Sequence, residues 1–205
     1  MSARDRVLNR IRSASKGHEG AKRQRLRPSI AQAVGADAVD QFVAKAQASD
    51  STVTRLKSID ELPVALAEEL RNRNLPAAIR TGEDPTFDRD WGTIERTSGP
   101  GRIDEPATLT RAHLGLAETG ALVFASGPDN PVTLNFLGET HFAVVQASDI
   151  VGGFEDLWET WRQRGLNPRT VNLISGPSRS ADIGQTLQLG AHGPVALHIF
   201  LVEDI

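Results

Sequence analysis

The chain has no cysteine in its 205 residues. That absence removes disulfides, a thiol nucleophile and any cysteine-ligated zinc or iron–sulfur cluster from its repertoire. It is compatible with a cytoplasmic location, where thiols stay reduced, without demanding one. No apolar run approaches the roughly 18 residues needed to cross a bilayer. The polar N-terminus lacks the apolar core of a signal peptide. The five histidines are scattered, with no HxxxH or HxH spacing, so no metal centre is expected. The glycine spacing of a dinucleotide fingerprint, the lysine of a P-loop and the G-x-S-x-G elbow of a hydrolase are missing too.

What is present describes an ordinary globular chain. Apolar residues make up 39% and charged residues 24%, a balance typical of one soluble core of sizeable volume. The net charge of -3 hides an asymmetry. Residues 1–27 hold nine basic and two acidic side chains, giving +7, and the remainder carries -10. A basic arm on an acidic body points either to docking on an acidic surface or to an arm folded on its own body. The acidic body and few aromatics argue against nucleic acid as a partner.

Taken in order, Arg4–Ser13 reads as a short helix with Val7, Leu8 and Ile11 on one face. Residues 14–30 are rich in Ser, Gly, Lys and Arg and read as a linker. Residues 1–30 thus form an arm, and 31–205 the body. Asp37–Ala48 has helical spacing, Thr52–Thr54 reads as a strand, and Ser58 with Glu61 matches a capping box opening a helix to about Asn72. Ala77–Ile79 is a short strand, and 81–107 an irregular excursion with a short element near Asp90–Arg96. Ala107–Leu116 is expected as a helix, Ala121–Ala125 and Thr140–Gln146 as strands. Ser148-Asp149 is expected to cap a helix that buries Phe154, Leu157, Trp158 and Trp161, with Gly165 past its end. Val171–Ile174 and Val195–Val202 read as strands, the first buried on both faces. This β-α-β rhythm predicts an α/β fold with a mainly parallel sheet and helices on both faces.

Three groups carry candidate chemistry. Glu118, beside Gly120, lies at a junction before a strand. It suits a general base or a nucleophile toward an activated acyl group, or equally a carboxylate that braces a turn. Ser175, Gly176, Ser178, Arg179 and Asp182 form a second group. Small residues and hydroxyls offer donors, and the Arg179 fork suits a carboxylate or phosphate of a small anionic metabolite. The plain alternative is a tight turn in which Asp182 caps and Arg179 pairs with it. His192, between Gly190 and Gly193, suits a proton shuttle or a loop-bracing hydrogen bond. His141 and His198 read as core or sheet-face residues.

The string Gly176-Pro177-Ser178-Arg179-Ser180-Ala181-Asp182-Ile183, then Gly190-Ala191-His192-Gly193-Pro194 and a final apolar strand, resembles the lactate utilization protein C family, built on the LUD domain. Ala117-Glu118-Thr119-Gly120 and the basic helical start fit it as well. The resemblance implies a fold similar to that of ribose-5-phosphate isomerase and the coenzyme A transferases. It implies a non-redox component, holding no cofactor, of an oxidative L-lactate utilization system that forms pyruvate with iron–sulfur partner proteins. A stand-alone transferase or isomerase acting on an acyl-coenzyme A or sugar phosphate through Glu118 is the second function compatible with it. Family members carry an acid after the Ile where this chain has Gly184, which puts any role of that acid in doubt.

Overall fold

Two apolar runs, Thr140–Gln146 and Ala196–Val202, pair in parallel along their full length, with Ile199 opposite Ala143. Both are inner strands of a six-stranded sheet in the computed structural model, which describes residues 2–15, 27–181, 187–189 and 193–203. The first elements in the chain are α1 (Ala3–Ser15), α2 (Gly35–Ala48), β1 (Thr52–Leu56), α3 (Leu62–Asn72), β2 (Ala78–Thr81) and β3 (Glu95–Ser98). Then come β4 (Ala107–Arg111), β5 (Leu114–Leu116), β6 (Ala121–Ala125), β7 (Thr140–Gln146) and β8 (Ile150–Val151). The last are α4 (Phe154–Gln163), β9 (Val171–Ile174), β10 (Arg179–Ala181), β11 (Leu187–Leu189) and β12 (Ala196–Val202).

The larger sheet runs β1-β12-β7-β4-β2-β3 and every pairing in it is parallel. Such a sheet must be covered on both faces, and β7 and β12 at its centre accordingly carry long apolar runs. On one face Phe142, Val144, Phe200 and Val202 pack against Leu62, Leu66 and Leu70 of α3. On the other, Ala143, Val145, Ile199 and Leu201 meet Phe42 of α2 and Leu122 and Phe124 of β6. A second sheet, β8-β5-β6-β9, therefore forms part of this cover. It mixes antiparallel β5–β6 and β6–β9 pairings with a parallel β5–β8 pairing. Its outer face is closed by Leu157 and Trp161 of α4.

Local chemistry explains the boundaries. Ser58 Oγ accepts from the Asp60 N–H and Glu61 Oε2 accepts from the Lys57 N–H, so the expected cap opens α3 through one 3-10 turn. Gly165, with φ +63°, ends α4 as its position foretold.

Four expectations are corrected. Ala107–Leu116 is not a helix but β4 and β5. Its Thr108 and Thr110 alternate with Ala107 and Leu109, a period of two that overrides the helical look of Ala112-His113-Leu114. The chain steps between the sheets there, with the Ala112 N–H bonded to Val144 O and the His113 N–H to Val123 O. Ser148-Asp149 does not cap α4. Asp149 pairs with Arg164 at 2.5 Å, and the cap is Gly153 with Asp156, whose Oδ2 accepts the Gly153 N–H. Only Leu157 and Trp161 of the aromatic stripe are buried. Phe154 and Trp158 are 37% and 39% exposed, because α4 lies on the outside of the second sheet. Val171–Ile174 is an edge strand with Leu173 39% exposed, not a strand covered on both faces.

The 81–107 excursion holds a 3-10 turn at Pro85–Phe87 and β3, which brings Trp91 into the core. The N-terminal helix forms as expected, with Val7 and Ile11 about 60% exposed. Most of the 14–30 linker, residues 16–26, lies outside the described residues.

Candidate functional site

The segment after β9 is pinned from three sides. Gly176 takes φ +76° and sits against the Ser49 carbonyl at the end of α2. Ser175 Oγ donates to Ser49 Oγ at 3.2 Å and approaches Thr119 O at 3.4 Å. The Ser178 N–H bonds Pro194 O at 2.8 Å, tying the exit of β9 to the entry of β12. Between these segments and the second-sheet side of β7 lies a cleft of about 230 Å³.

Its walls are mostly apolar, from Phe136, Leu173, Ile174, Pro177, Pro194 and Leu197. Its polar lining comes from Asn135, His141, Ser175 and Ser178, and among the described residues no charged side chain reaches it. Asn135, 1% exposed, ends the 3-10 turn Val132–Asn135, and neither its Oδ1 nor its Nδ2 has a partner. His141 is fully buried. Its Nε2 lies 2.7 Å from Thr110 Oγ1, and its Nδ1 has no partner. Burial pushes the His141 ring down to about 3, so it is neutral at physiological pH.

The site residues expected from sequence fall into four sets. Ser175, Gly176 and Ser178 line the cleft. Arg179 follows directly but forms an ion pair with Asp50, both side chains about half exposed, so its fork faces a carboxylate of the chain itself. Asp182 and His192 lie outside the described residues. Glu118 sits close by through Thr119, yet its own carboxylate turns away. Glu118 Oε2 accepts the Phe154 N–H at 3.3 Å at the start of α4, and its N–H bonds Gly152 O. This is the turn-bracing role. Gly120 (φ +72°) is packed against the backbone of Lys45 and Ala46 and serves that turn, not the cleft.

Asn135 and His141 escaped the sequence argument. A buried strand histidine looks like core, and Asn135 lies in no motif. The only available signal was a polar residue opening an otherwise apolar strand. The cleft also lies at the amino ends of β7 and β12, opposite the carboxyl edge where open parallel sheets usually bind ligands.

Residues 106–202 match the profile of the LUD domain. This stretch is similar to the LUD domain. It encompasses β4 to β12 and hence every described residue lining the cleft. The resemblance to the lactate utilization protein C family is borne out by relatives of that name. The Bacillus subtilis (strain 168) protein is 37% identical over 100 residues, 47% of this chain and 42% of that protein. The Halalkalibacterium halodurans protein is 26% identical over 174 residues, 76% of this chain and 74% of the relative. For the first of the curated relatives the match spans about four-tenths of their length. A crystal structure of a DUF162 family protein from Deinococcus radiodurans superposes with a TM-score of 0.62 at 22% identity, covering 82% of this chain and 97% of that one. The fold shared with that structure is thus α/β with a mainly parallel sheet. No described helix is long and apolar enough to cross a membrane.

Proposed function

We propose that this chain serves in lactate utilization, as a non-redox component of a system that oxidises L-lactate to pyruvate. The observation that carries the reading is the match of residues 106–202 to the LUD domain, beside relatives named lactate utilization protein C. The sequence supplies no cysteine to ligate a cluster. The electrons would then pass through iron–sulfur partner proteins, and this chain would contribute binding without a cofactor of its own. The small metabolite it holds would sit at the Ser175–Ser178 segment, within reach of Arg179 once that side chain leaves Asp50.

Deleting the gene in its native host tests this. The expected result is loss of growth on L-lactate as sole carbon source, with growth on glucose intact, and co-purification of iron–sulfur proteins with the tagged chain from lactate-grown cells. Unimpaired growth on L-lactate would sink the proposal. Glu118-dependent transferase or isomerase chemistry has weaker support, because the Glu118 carboxylate is engaged at the head of α4 and lines no part of the cleft.

A further inference from the structure

The cleft contains an unusual debt of hydrogen bonds. Buried polar side chains nearly always have partners, and leaving one without costs about 1–3 kcal/mol. Here Asn135 leaves both amide atoms unpaired at 1% exposure, and His141 leaves Nδ1 unpaired at full burial. Asn172 Nδ2 is a further buried atom without a partner. Asn172 lies two residues before Ile174 on β9, and alternate residues of a strand share a face. Two polar side chains from separate elements thus line one small cavity with apolar walls, and Asn172 belongs to a strand that borders it. Few polar groups converging inside an apolar cleft is the usual composition of a small-molecule site.

The chemistry of these groups selects the ligand. A terminal carboxamide presents one donor and one acceptor side by side. Another amide edge satisfies both at once. A carboxylate satisfies the donor only, and sets its second oxygen against Oδ1. Among the described residues the lining offers no cation to offset a buried carboxylate or phosphate, whose desolvation without a partner is costly. His141 adds a neutral third point. Phe136 and Leu173, 37% and 39% exposed, form an apolar rim suited to a flat ring.

We infer that the cleft between Asn135, His141 and Ser175 binds an uncharged ligand through a carboxamide or cyclic-amide edge. The site shares the Ser175–Ser178 segment with the proposed metabolite site but does not use Arg179, and its test reads amide binding, not growth on L-lactate. A chain that fails to support growth on L-lactate can still have this site, and the reverse.

The test uses the full chain and matched probes. Acetamide, nicotinamide and uracil are titrated against acetate and nicotinate, following the backbone amides of Ile174, Ser175, Gly176 and Ser178 and the Asn135 side-chain amide by NMR. At least one neutral probe is expected to shift these resonances saturably, with nicotinate binding at least tenfold more weakly than nicotinamide if the ring is accepted. Asn135→Asp is expected to weaken the neutral probe at least tenfold. If that variant does not fold, the wild-type comparison decides. The inference is overturned if no neutral probe shifts the cleft, if the acids bind as well as the amides, or if Asn135→Asp binds unchanged. A crystal structure with probe present that shows only water on Asn135 overturns it as well.

Discussion

A Cβ placed on Gly176 would lie 2.1 Å from the carbonyl oxygen of Ser49. The two residues are 127 positions apart in sequence, and their contact fixes the exit of β9 against the end of α2. Gly176 also adopts φ +76°, a region costly to any residue with a Cβ. Gly176→Ala is therefore expected to destabilise the fold by at least about 2 kcal/mol, from strain plus backbone displacement. Thermal denaturation monitored by circular dichroism measures it. A melting temperature within about 1 °C of the parent would show that the contact is dispensable.

Arg179 and Asp50 give the opposite expectation. Exposed ion pairs contribute roughly 0–1 kcal/mol, and both side chains here are about half exposed. Asp50 has φ +61°, which Asn tolerates as readily as Asp. Asp50→Asn is expected to leave stability nearly unchanged while freeing Arg179. An anionic ligand recruited by Arg179 then binds more tightly to this variant than to the parent. Equal affinity in calorimetric titration would remove Arg179 from the binding scheme.

Glu118 separates bracing from catalysis. Its Oε2 accepts the Phe154 N–H at 3.3 Å, so Glu118→Ala loses a helix-terminal acceptor worth about 1 kcal/mol. Glu118→Gln keeps an acceptor oxygen and is expected to recover most of that stability. The same Gln variant is expected to restore growth on L-lactate to a deletion strain. A Gln variant that is stable but fails to complement would mean that the charge itself is needed.

Acid weakens the fold through buried histidines, His141 and His198 above all. Burial lowers His141 to about 3, and burial aided by the Arg73 guanidinium does the same to His198. His198 Nδ1 lies 3.5 Å from Glu69 Oε2, but a neutral ring makes no ion pair there. An unfolded histidine protonates near 6.5. Below that pH the unfolded chain holds the extra proton, and stability falls as pH drops from 6.5 toward 3. Each ring contributes a slope of about 1.4 kcal/mol per pH unit in that window. Urea melts at pH 7, 6 and 5 check this, and His141→Gln should remove about 1.4 kcal/mol per pH unit from the slope. A flat profile would contradict the burial of both rings.

Strands and caps were legible in the sequence wherever one residue pattern settled the outcome. Thr140–Gln146 holds the apolar run Phe142–Val145 and had one sensible assignment. Ser58 and Glu61 announced α3 because their side chains act locally. The errors fall where the outcome depended on a distant neighbour. Thr108 and Thr110 sit in a strand whose side chains reach distant partners: Thr108 Oγ1 donates to Leu134 O, and Thr110 Oγ1 pairs with His141 Nε2. Phe154 and Trp158 stay exposed because the sheet beneath α4 is too small to cover them. The cleft was found only in half. Ser175, Gly176 and Ser178 stood together in a turn motif, whereas Asn135 and His141 arrive from separate elements and no spacing links them.

β12 lies between β1 and β7, yet follows every other strand of that sheet in the chain. A ribosome emitting this polypeptide delivers both flanking strands well before their shared neighbour. Until residues 196–202 clear the exit tunnel, each exposes an unpaired margin able to capture stray extended peptide. Synthesis of this protein thus carries an intrinsic delay between translation and closure, and an occupant that shields those margins during the wait, such as a chaperone, would raise the yield of correctly assembled molecules.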